Sequence, residues 1–218
     1  MTVGFLFDLD GVIVDTAKYH YRAWRHLANQ LGFDIDDDFN NELKGISRME
    51  SLELILNKGN KTTKFNQKEK DALAHEKNTY YIGLLDELSE KDILPGVLEF
   101  ITRANEIDIP CAIASASKNA EFILKKLNIN KYFKSIVDPS LLSKGKPDPE
   151  IFLKAAASIN VLPQNAIGFE DAQSGIIALN RAGIFSIGIA SHRIQLPDAD
   201  IIISSFEKIT PKSVLNLR

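Results

Sequence analysis

Two aspartates, Asp8 and Asp10, close the first apolar run of the chain, and Gly11 follows them. A short hydrophobic run of this kind predicts a β-strand that is buried on both faces. Side chains two positions apart on a strand point the same way, so both carboxylates are expected to face one site at the carboxyl edge of a sheet. Carboxylates so close repel each other unless a cation or a shared proton relieves the repulsion. The alternative is an ordinary turn, because aspartate and glycine are common turn residues.

The two aspartates have the residue types that phosphoryl transfer requires. That reaction needs a nucleophile in line with phosphorus, a cation that offsets the gathering negative charge, and a general acid for the leaving oxygen. Asp8 can be the nucleophile and form an aspartyl phosphate, while Asp10 can give a proton to the leaving group and later take it back. Glu170 and Asp171 follow a later predicted strand and should reach the same sheet edge. A cation held only by such oxygens is expected to be Mg²⁺.

Ser115 and Lys146 are the candidates for holding the reacting phosphate. Ser115 follows a predicted strand over residues 109–114 and could hydrogen-bond a phosphate oxygen, with the amide of Ala116 beside it. A serine there could also cap the next helix, and the two roles are compatible because helix N-termini bind anions through the same free amides. Lys146 lies in a loop that two prolines should stiffen. The alternative for any single lysine is a solvated surface charge.

A second group of residues could bind another phosphate. Lys44, Gly45, Arg48 and Ser51 fall within eight residues around a predicted helix N-terminus. Two cations, open backbone amides and a hydroxyl in that arrangement suit a phosphate group. Composition alone favours ordinary surface charge instead. His20, taken by itself, is more often a structural residue than a catalytic one.

The elements that position these residues fall into two sets. Residues 17–90 have apolar residues at helical spacing and no convincing strand, which predicts three or four amphipathic helices. From residue 93 onward, apolar strands alternate with helices, which predicts a parallel sheet with right-handed crossovers. The expected fold is therefore α/β, with a Rossmann-like parallel-sheet core of residues 1–15 and 91–218 and an inserted α-helical bundle of residues 16–90. Later strands are predicted over residues 109–114, 135–137, 166–169, 185–189 and 200–203, and later helices over residues 95–105, 118–127, 149–159 and 173–182.

The composition narrows the possible partners. The 218-residue chain has a net charge of −3, 25% charged residues and no dense block of lysine or arginine, so it lacks the footprint of a nucleic-acid-binding protein. Its one cysteine, Cys111, lies in an apolar run and is expected to be an inert core residue in a reducing compartment. No apolar run approaches the length of a membrane span, and the N-terminus lacks a targeting pattern. We expect a cytoplasmic protein without nucleic-acid or membrane partners, and a monomer by default.

Four segments resemble the motifs of the haloacid dehalogenase superfamily of phosphatases and phosphomutases, in the order in which that superfamily has them. They are Asp8-x-Asp10-Gly11-x-x-x-Asp15-Thr16, residues 113–117, Lys146-Pro147-Asp148-Pro149 and residues 168–172. The resemblance implies that Asp8 and Asp171 ligate one Mg²⁺ ion directly. It also implies that Asp10 contributes its backbone carbonyl, that Glu170 supports the site and that Lys146 neutralises the reacting phosphate. The inserted bundle corresponds to what the superfamily calls a cap.

Three segments, residues 15–24, 43–52 and 114–119, are similar to the corresponding segments of the sugar phosphomutases within that superfamily. The resemblance implies a substrate-binding set of Gly11, His20, Lys44, Gly45, Arg48, Ser51, Lys77, Ala116, Ser117, Lys118 and Asn119. It implies that Arg48 grips the distal phosphate, that His20 couples cap closure to the general acid, and that Lys77 contacts sugar hydroxyls. The implied substrate is a small sugar phosphate: β-glucose 1-phosphate would become glucose 6-phosphate through β-glucose 1,6-bisphosphate, an activating intermediate.

Two rival functions stay open on the sequence alone. A Mg²⁺-dependent sugar-phosphate phosphatase of the same superfamily would share the core motifs, and only the cap residues discriminate it from a mutase. A catalytically silent binding module that kept the fold is the second rival. Asp8, Asp10, Lys146 and Asp171 are all intact, which argues against a silent module.

Overall fold

A six-stranded parallel sheet forms the centre of the computed structural model, which describes residues 2–43, 45–190 and 196–217. The strands are β1 (Gly4–Phe7), β2 (Cys111–Ile113), β3 (Ser135–Ile136), β4 (Ala166–Glu170), β5 (Phe185–Ile189) and β6 (Ile201–Ile203). Their order across the sheet is β3-β2-β1-β4-β5-β6, and every strand pairing is parallel. The α/β fold expected from the alternating pattern is confirmed.

The sheet is buried on both faces, as the apolar run before Asp8 predicts. Phe5 and Phe7 point into one apolar cluster, and Leu6 points into another on the opposite face. On the first face, the Phe7 ring stacks on that of Phe169 with a centroid distance of 4.7 Å and an interplanar angle of 6°. Helices α5 (Val97–Glu106), α6 (Ala120–Lys126) and α9 (Pro211–Leu215) contribute to the first cluster, and α7 (Glu150–Ser158) and α8 (Gln173–Arg181) to the second.

Among the described residues, four α-helices form the bundle that follows β1. They are α1 (Ala17–Gln30), α2 (Asp37–Asn41), α3 (Arg48–Lys58) and α4 (Gln67–Leu84). They bury an apolar cluster of their own, in which Trp24 and Leu27 pack with Leu52 and Leu56. No strand falls among the described residues of this segment. The prediction of a helical insertion after the first strand therefore matches the element order, while the division at residues 15/16 and 90/91 stays a prediction.

The helices of this bundle begin and end where local signals favour it. Ser47 and Glu50 form a reciprocal capping box at the start of α3, so the predicted helix N-terminus near Arg48 is observed. Asn66 and Glu69 do the same for α4. After α1, Gly32 has φ +86°, a left-handed conformation that glycine adopts without strain.

The chain enters and leaves the bundle through two segments that lie side by side. The amide of Leu94 donates to the carbonyl of Ile13 at 3.0 Å, and the amide of Asp15 donates to the carbonyl of Asp92 at 2.8 Å. Between these bonds, Val14 and Ile93 form an antiparallel bridge. At this short paired stem the chain passes from the sheet into the bundle and back.

Two further observations concern the predicted environment of the chain. Cys111 is buried, and burial raises the pKa of its thiol to about 12, which fits the inert core residue expected from the sequence. Among the described residues, no helix combines the length and the apolar character needed to cross a bilayer.

Candidate active site

The site lies where the strand order reverses direction around β1. β1 is paired with β2 on one side and with β4 on the other, and such a reversal opens a crevice at the carboxyl ends of the strands. Asp8 directly follows β1, Glu170 is the last residue of β4, and Ser115 follows β2 by two positions. The topology therefore brings residues from three distant parts of the chain to one edge of the sheet.

Asp10 reaches this edge in a different way from the one predicted. β1 ends at Phe7, so neither aspartate lies on the strand, and the expected alignment by strand alternation was wrong. The carbonyl of Leu9 accepts a bond from the amide of Ile13, which turns the chain back after Asp8, and Asp10 forms an isolated bridge with Val14. The turn interpretation is therefore correct for the backbone, although both carboxylates still line one cavity.

Lys146 forms a buried ion triad with two carboxylates. Its Nζ atom lies 2.5 Å from Asp8 Oδ1 and 2.7 Å from Glu170 Oε2, and the Lys146 side chain is fully buried. Burial alone would lower the pKa of Lys146, but the charges of Asp8 and Glu170 and their hydrogen bonds raise it. Burial also raises the pKa of Glu170 to about 7, against the opposing charge of Lys146. The surface-charge alternative for Lys146 is wrong.

Three carboxylates at the same edge could hold a metal ion. Asp8, Glu170 and Asp171 each offer an oxygen atom, and these atoms lie within 4.8 Å of one another. A Cβ atom on Gly11 would come within 2.1 Å of Asp171 Oδ2, so only glycine leaves room for that carboxylate. An all-oxygen, negatively charged donor set fits a hard divalent cation. The contribution of the Asp10 carbonyl to such a site stays a prediction.

Asp10 has the environment of a proton-transfer group. Burial, together with the negative charge of Asp8, raises the pKa of Asp10 to about 6. The hydroxyl of Thr16 donates a hydrogen bond to the Asp10 carboxylate. The Asp10 side chain remains 27% exposed, and it lines the cavity. A carboxyl group with a pKa near neutrality can both give and take a proton at physiological pH.

His20 and Lys77 form a basic pair on the bundle side of the cavity. His20 Nδ1 lies 3.0 Å from Lys77 Nζ, and His20 Nε2 lies 4.0 Å from Asp10 Oδ1. Lys77 Nζ also lies over the rings of Trp24 and Tyr81, 4.3 and 4.9 Å from their centroids. Burial lowers the pKa of Lys77 to about 7 and that of His20 well below its usual range. His20 and Lys77 together connect α4 to the neighbourhood of Asp10.

Arg48 is held by amides on the bundle side of the cavity. Its Nη2 atom donates to Asn78 Oδ1 at 2.7 Å, and Asn119 Nδ2 donates to the same oxygen at 3.0 Å. Gly45, just before α3, has φ +73°, and a Cβ atom there would lie 2.7 Å from the Cβ of Ala172. The start of α3 thus sits close against the loops at the carboxyl edge of the sheet.

The serines after β2 organise the loop that leads to α6. Ser115 is buried, and its Oγ atom accepts a hydrogen bond from the amide of Ser117 at 3.0 Å. Ser117 Oγ accepts in turn from the amide of Asn119 at 3.3 Å. The helix begins at Ala120, later than the predicted start at residue 118. The two hydroxyls therefore stabilise the loop of residues 115–119, and this loop lines the cavity.

Most of the candidate residues meet at one cavity of about 390 Å³. Its walls include Asp8, Asp10, His20, Gly45, Arg48, Ser51, Lys77, Ser115, Ala116, Ser117, Lys118, Asn119 and Asp171. Lys146 and Glu170 are buried in contact with Asp8 and are not part of the wall. Lys44 lies outside the described residues. The volume falls in the range of small-molecule sites, which run from about 300 to 1,000 Å³.

Four residues of the site are not among the predicted ones. Thr16 binds Asp10, Trp24 and Tyr81 surround Lys77, and Asn78 binds Arg48. The sequence pattern indicates that Trp24 and Tyr81 belong to the apolar faces of helices. A signal was available for both, since each stands four residues after a polar candidate on the same helix face: Trp24 after His20, and Tyr81 after Lys77. Nothing in the sequence marked Asn78.

Known proteins are similar to this chain over almost its whole length. A β-phosphoglucomutase of Bacillus subtilis is 45% identical over 205 residues, which cover 94% of this chain and 90% of that protein. The crystal structure of a β-phosphoglucomutase from Clostridium difficile superposes with a TM-score of 0.96 at 46% identity, covering 100% of this chain and 97% of that one. A phosphorylated carbohydrates phosphatase of Thermotoga maritima is more distant, at 29% identity over 97% of this chain and 96% of that protein.

The family profile of the haloacid dehalogenase-like hydrolases matches residues 3–183. That span contains the sheet edge with its carboxylates, Lys146 and the helical bundle. The match covers most of the chain and agrees with the motifs, the strand order and the similar proteins. The chain therefore belongs to the haloacid dehalogenase-like hydrolase family.

Proposed function

We propose that this chain is a phosphomutase, an isomerase that interconverts β-D-glucose 1-phosphate and D-glucose 6-phosphate. The reaction passes through β-glucose 1,6-bisphosphate and an aspartyl-phosphate form of the enzyme. The observation that carries the proposal is a single cavity to which the sheet edge contributes Asp8, Asp10 and Asp171 and the bundle contributes Arg48, which has no ion pair among the described residues. The 45% identity to a β-phosphoglucomutase over 94% of the chain supports the same reaction.

Asp8 and Asp10 divide the chemistry between them. An oxygen of Asp8 attacks phosphorus, the bond from phosphorus to the sugar oxygen breaks, and Asp10 gives its proton to that oxygen. In the return step, a sugar hydroxyl attacks phosphorus, the bond from phosphorus to the Asp8 oxygen breaks and frees the Asp8 carboxylate, and Asp10 takes the proton of that hydroxyl. The pKa of about 6 lets Asp10 populate both forms near neutral pH. Lys146, which already contacts Asp8, offsets the negative charge of the transferred group.

Mg²⁺ is the proposed cofactor. Asp8 and Asp171 would ligate it through their side chains and Asp10 through its backbone carbonyl, with Glu170 supporting the site. Magnesium supplies charge stabilisation for the phosphoryl oxygens when it is bound. The reacting phosphate would further receive hydrogen bonds from the hydroxyl of Ser115 and the amide of Ala116.

The bundle side would hold the phosphate that is not reacting. Arg48 is the main cation there, and Ser117, Lys118 and Asn119 line the same cavity. Gly11, Lys44, Gly45 and Ser51 complete the proposed substrate-binding set. Lys77 would contact the sugar hydroxyls. A bisphosphate can then bind in either direction, so the intermediate turns end for end between the two half-reactions.

A sugar-phosphate phosphatase is the less favoured function. A phosphatase needs water at the aspartyl phosphate, whereas a mutase must keep water away from it until the sugar hydroxyl attacks. The cationic end of the cavity gives a bisphosphate a second anchor, which simple hydrolysis does not need. Cytoplasmic location and a monomeric state stay predictions from the sequence.

The decisive experiment compares two products from one incubation. The protein receives β-glucose 1-phosphate, Mg²⁺ and a catalytic amount of β-glucose 1,6-bisphosphate, and glucose 6-phosphate and free phosphate are measured together. A mutase forms glucose 6-phosphate far faster than phosphate. Phosphate release in equal or greater amount would establish the phosphatase instead, and omission of Mg²⁺ should stop either reaction.

A further inference from the structure

Asn78 connects the donors that face the proposed distal phosphate. Its single carbonyl oxygen accepts from Arg48 Nη2 at 2.7 Å and from Asn119 Nδ2 at 3.0 Å. Arg48 is the first residue of α3, Asn78 lies on α4, and Asn119 precedes α6. One oxygen atom therefore ties two helices of the bundle to a loop of the sheet, and all three side chains line the cavity.

Arg48 differs from the other arginines of the bundle in the kind of partner it has. Arg22 pairs with Glu87 and Arg25 with Asp34, both at 2.7 Å and both exposed. The ion pairs found among the described residues do not include Arg48, whose recorded partner is a neutral amide. Burial lowers the pKa of Arg48, because its charge lacks full solvation. The guanidinium is therefore oriented but not neutralised.

The neutrality of the partner has a chemical consequence. A carboxylate at position 78 could form the planar, two-bond pair that arginine favours, and it would compensate the cation before any substrate arrived. An amide has nearly the same shape as a carboxylate but carries no charge. It can fix the side-chain geometry of Arg48 and Asn119 while leaving the positive charge available to an anion.

We propose that Asn78 is a positioning residue for the distal phosphate, a neutral acceptor that holds Arg48 and Asn119 in place to donate to the phosphate not undergoing chemistry. This inference rests on the proposed function, since that function assigns the distal phosphate to Arg48. It adds a specificity rule: position 78 must accept hydrogen bonds and must not carry negative charge.

The test uses Asn78→Asp, which keeps the shape and the accepting oxygen and replaces the amide NH2 by a charged oxygen. We expect its KM for β-glucose 1-phosphate to rise about thirtyfold or more, because like charges that face each other in a binding site are strongly unfavourable. Asn78→Ala, which loses the acceptor, should raise KM by about tenfold. The melting temperature of Asn78→Asp should stay equal to or above that of the wild type, since Arg48 gains an ion pair. If Asn78 only stabilised the fold, Asn78→Asp and Asn78→Ala would lower the melting temperature and leave KM nearly unchanged.

Asn57→Asp is the matched control for added charge. Asn57 is exposed near the end of α3, so this variant carries the same charge change on the same bundle away from the cavity. Its KM should stay within about twofold of the wild type, because a solvated charge at such a distance is largely screened.

Affinity for glucose 6-phosphate, measured by titration calorimetry, repeats the comparison without turnover. A wild type that binds glucose 6-phosphate but does not convert β-glucose 1-phosphate would refute the proposed function, while the affinities of the variants would still decide the role of Asn78. The role is overturned if Asn78→Asp keeps KM and affinity within about threefold of the wild type, or if Asp and Ala variants weaken binding equally. If Asn78→Asp fails to fold, an unchanged affinity of Asn78→Ala overturns it.

Discussion

The sheet edge and the bundle side of the cavity differ in how their basic side chains are compensated. At the sheet edge, the buried Lys146 is compensated by Asp8 at 2.5 Å and by Glu170 at 2.7 Å. On the bundle side, Lys77 is surrounded by aromatic rings and a histidine, and Arg48 by amides. The ion pairs among the described residues include neither Lys77 nor Arg48. The sheet edge is thus organised before substrate arrives, whereas the bundle side leaves the charge of Arg48 for the substrate to compensate.

The comparison predicts that damage at the reacting end is the most severe. Asp8→Asn and Asp8→Ala should lower turnover by on the order of a thousandfold or more, because an amide or a methyl group cannot form an aspartyl phosphate. The fold should persist, since Lys146 keeps Glu170 as a partner at 2.7 Å. Mutase rates and circular dichroism of both variants measure these effects. A variant that keeps a large part of the wild-type rate would remove Asp8 from the role of nucleophile.

A smaller loss is expected from the proton-transfer group. Asp10→Asn should slow the reaction roughly a hundredfold, the usual contribution of a general acid–base. Its Mg²⁺ affinity should remain, because the proposed ligand from this residue is the backbone carbonyl. Calorimetric titration with Mg²⁺, next to the mutase rate, separates the two functions. Lost metal binding would show that the Asp10 side chain is itself a ligand.

Variants of Arg48 test the role of the positive charge that the bundle side leaves for the substrate. Removing one member of a desolvated charge contact commonly costs about 2–5 kcal/mol. The mutase kcat/KM of Arg48→Ala should therefore fall by a factor of several tens or more. Arg48→Lys should recover only part of the loss, since lysine cannot make the planar two-bond contact.

The control for Arg48 is a phosphoryl donor without a second anchor. Acetyl phosphate should phosphorylate Asp8 in Arg48→Ala about as fast as in the wild type, because nothing in this donor reaches Arg48. Equal slowing of both reactions, or an unchanged mutase rate, would return Arg48 to the role of a surface charge and favour the phosphatase.

The smallest predicted effect is one on stability, and it concerns Lys77. Its pKa is lowered from 10.5 to about 7, so between these values the unfolded chain binds a proton that the folded chain does not. Stability therefore rises with pH across this window, and from about pH 6.5 to about pH 9 the contribution of Lys77 should improve by about 2 kcal/mol. Lys77→Met should lack this increment. Denaturant unfolding of both proteins at the two pH values measures it, and parallel pH profiles would contradict the buried, uncompensated state of Lys77.

Much of the fold could be predicted because the signals are local. The predicted strand over residues 185–189 has the observed bounds Phe185–Ile189, since an apolar run between turn residues defines both ends. The predicted strand over residues 109–114 shortens to Cys111–Ile113, because its neighbour β1 offers partners only from Phe5 to Phe7. Where the neighbouring strand determines how long a strand is, the sequence of that strand alone cannot predict its length.

The candidate site could be predicted where motifs carry it and could not where tertiary contacts do. The Lys-Pro-Asp-Pro segment singled out Lys146, but its bond to Asp8 joins residues 138 positions apart, and no local pattern indicates it. Asn78 lies on an ordinary helix, and only the meeting of α3, α4 and the loop before α6 gives it a role. The alignment of Asp8 and Asp10 was expected for the wrong reason, since a turn and not a strand produces it.

The chain leaves the sheet for the helical bundle and returns from it at the paired stem of Val14 and Ile93. Residues opposite each other in an antiparallel bridge have Cα atoms about 5 Å apart, a gap that a two-residue turn can close. The segment between the two sides of the stem buries an apolar cluster of its own, while residues near its two ends, among them Tyr19 and Tyr81, pack in the cluster beside the sheet. The fold therefore lets the bundle's share of the substrate site change in one continuous stretch of sequence while the reacting carboxylates keep their positions.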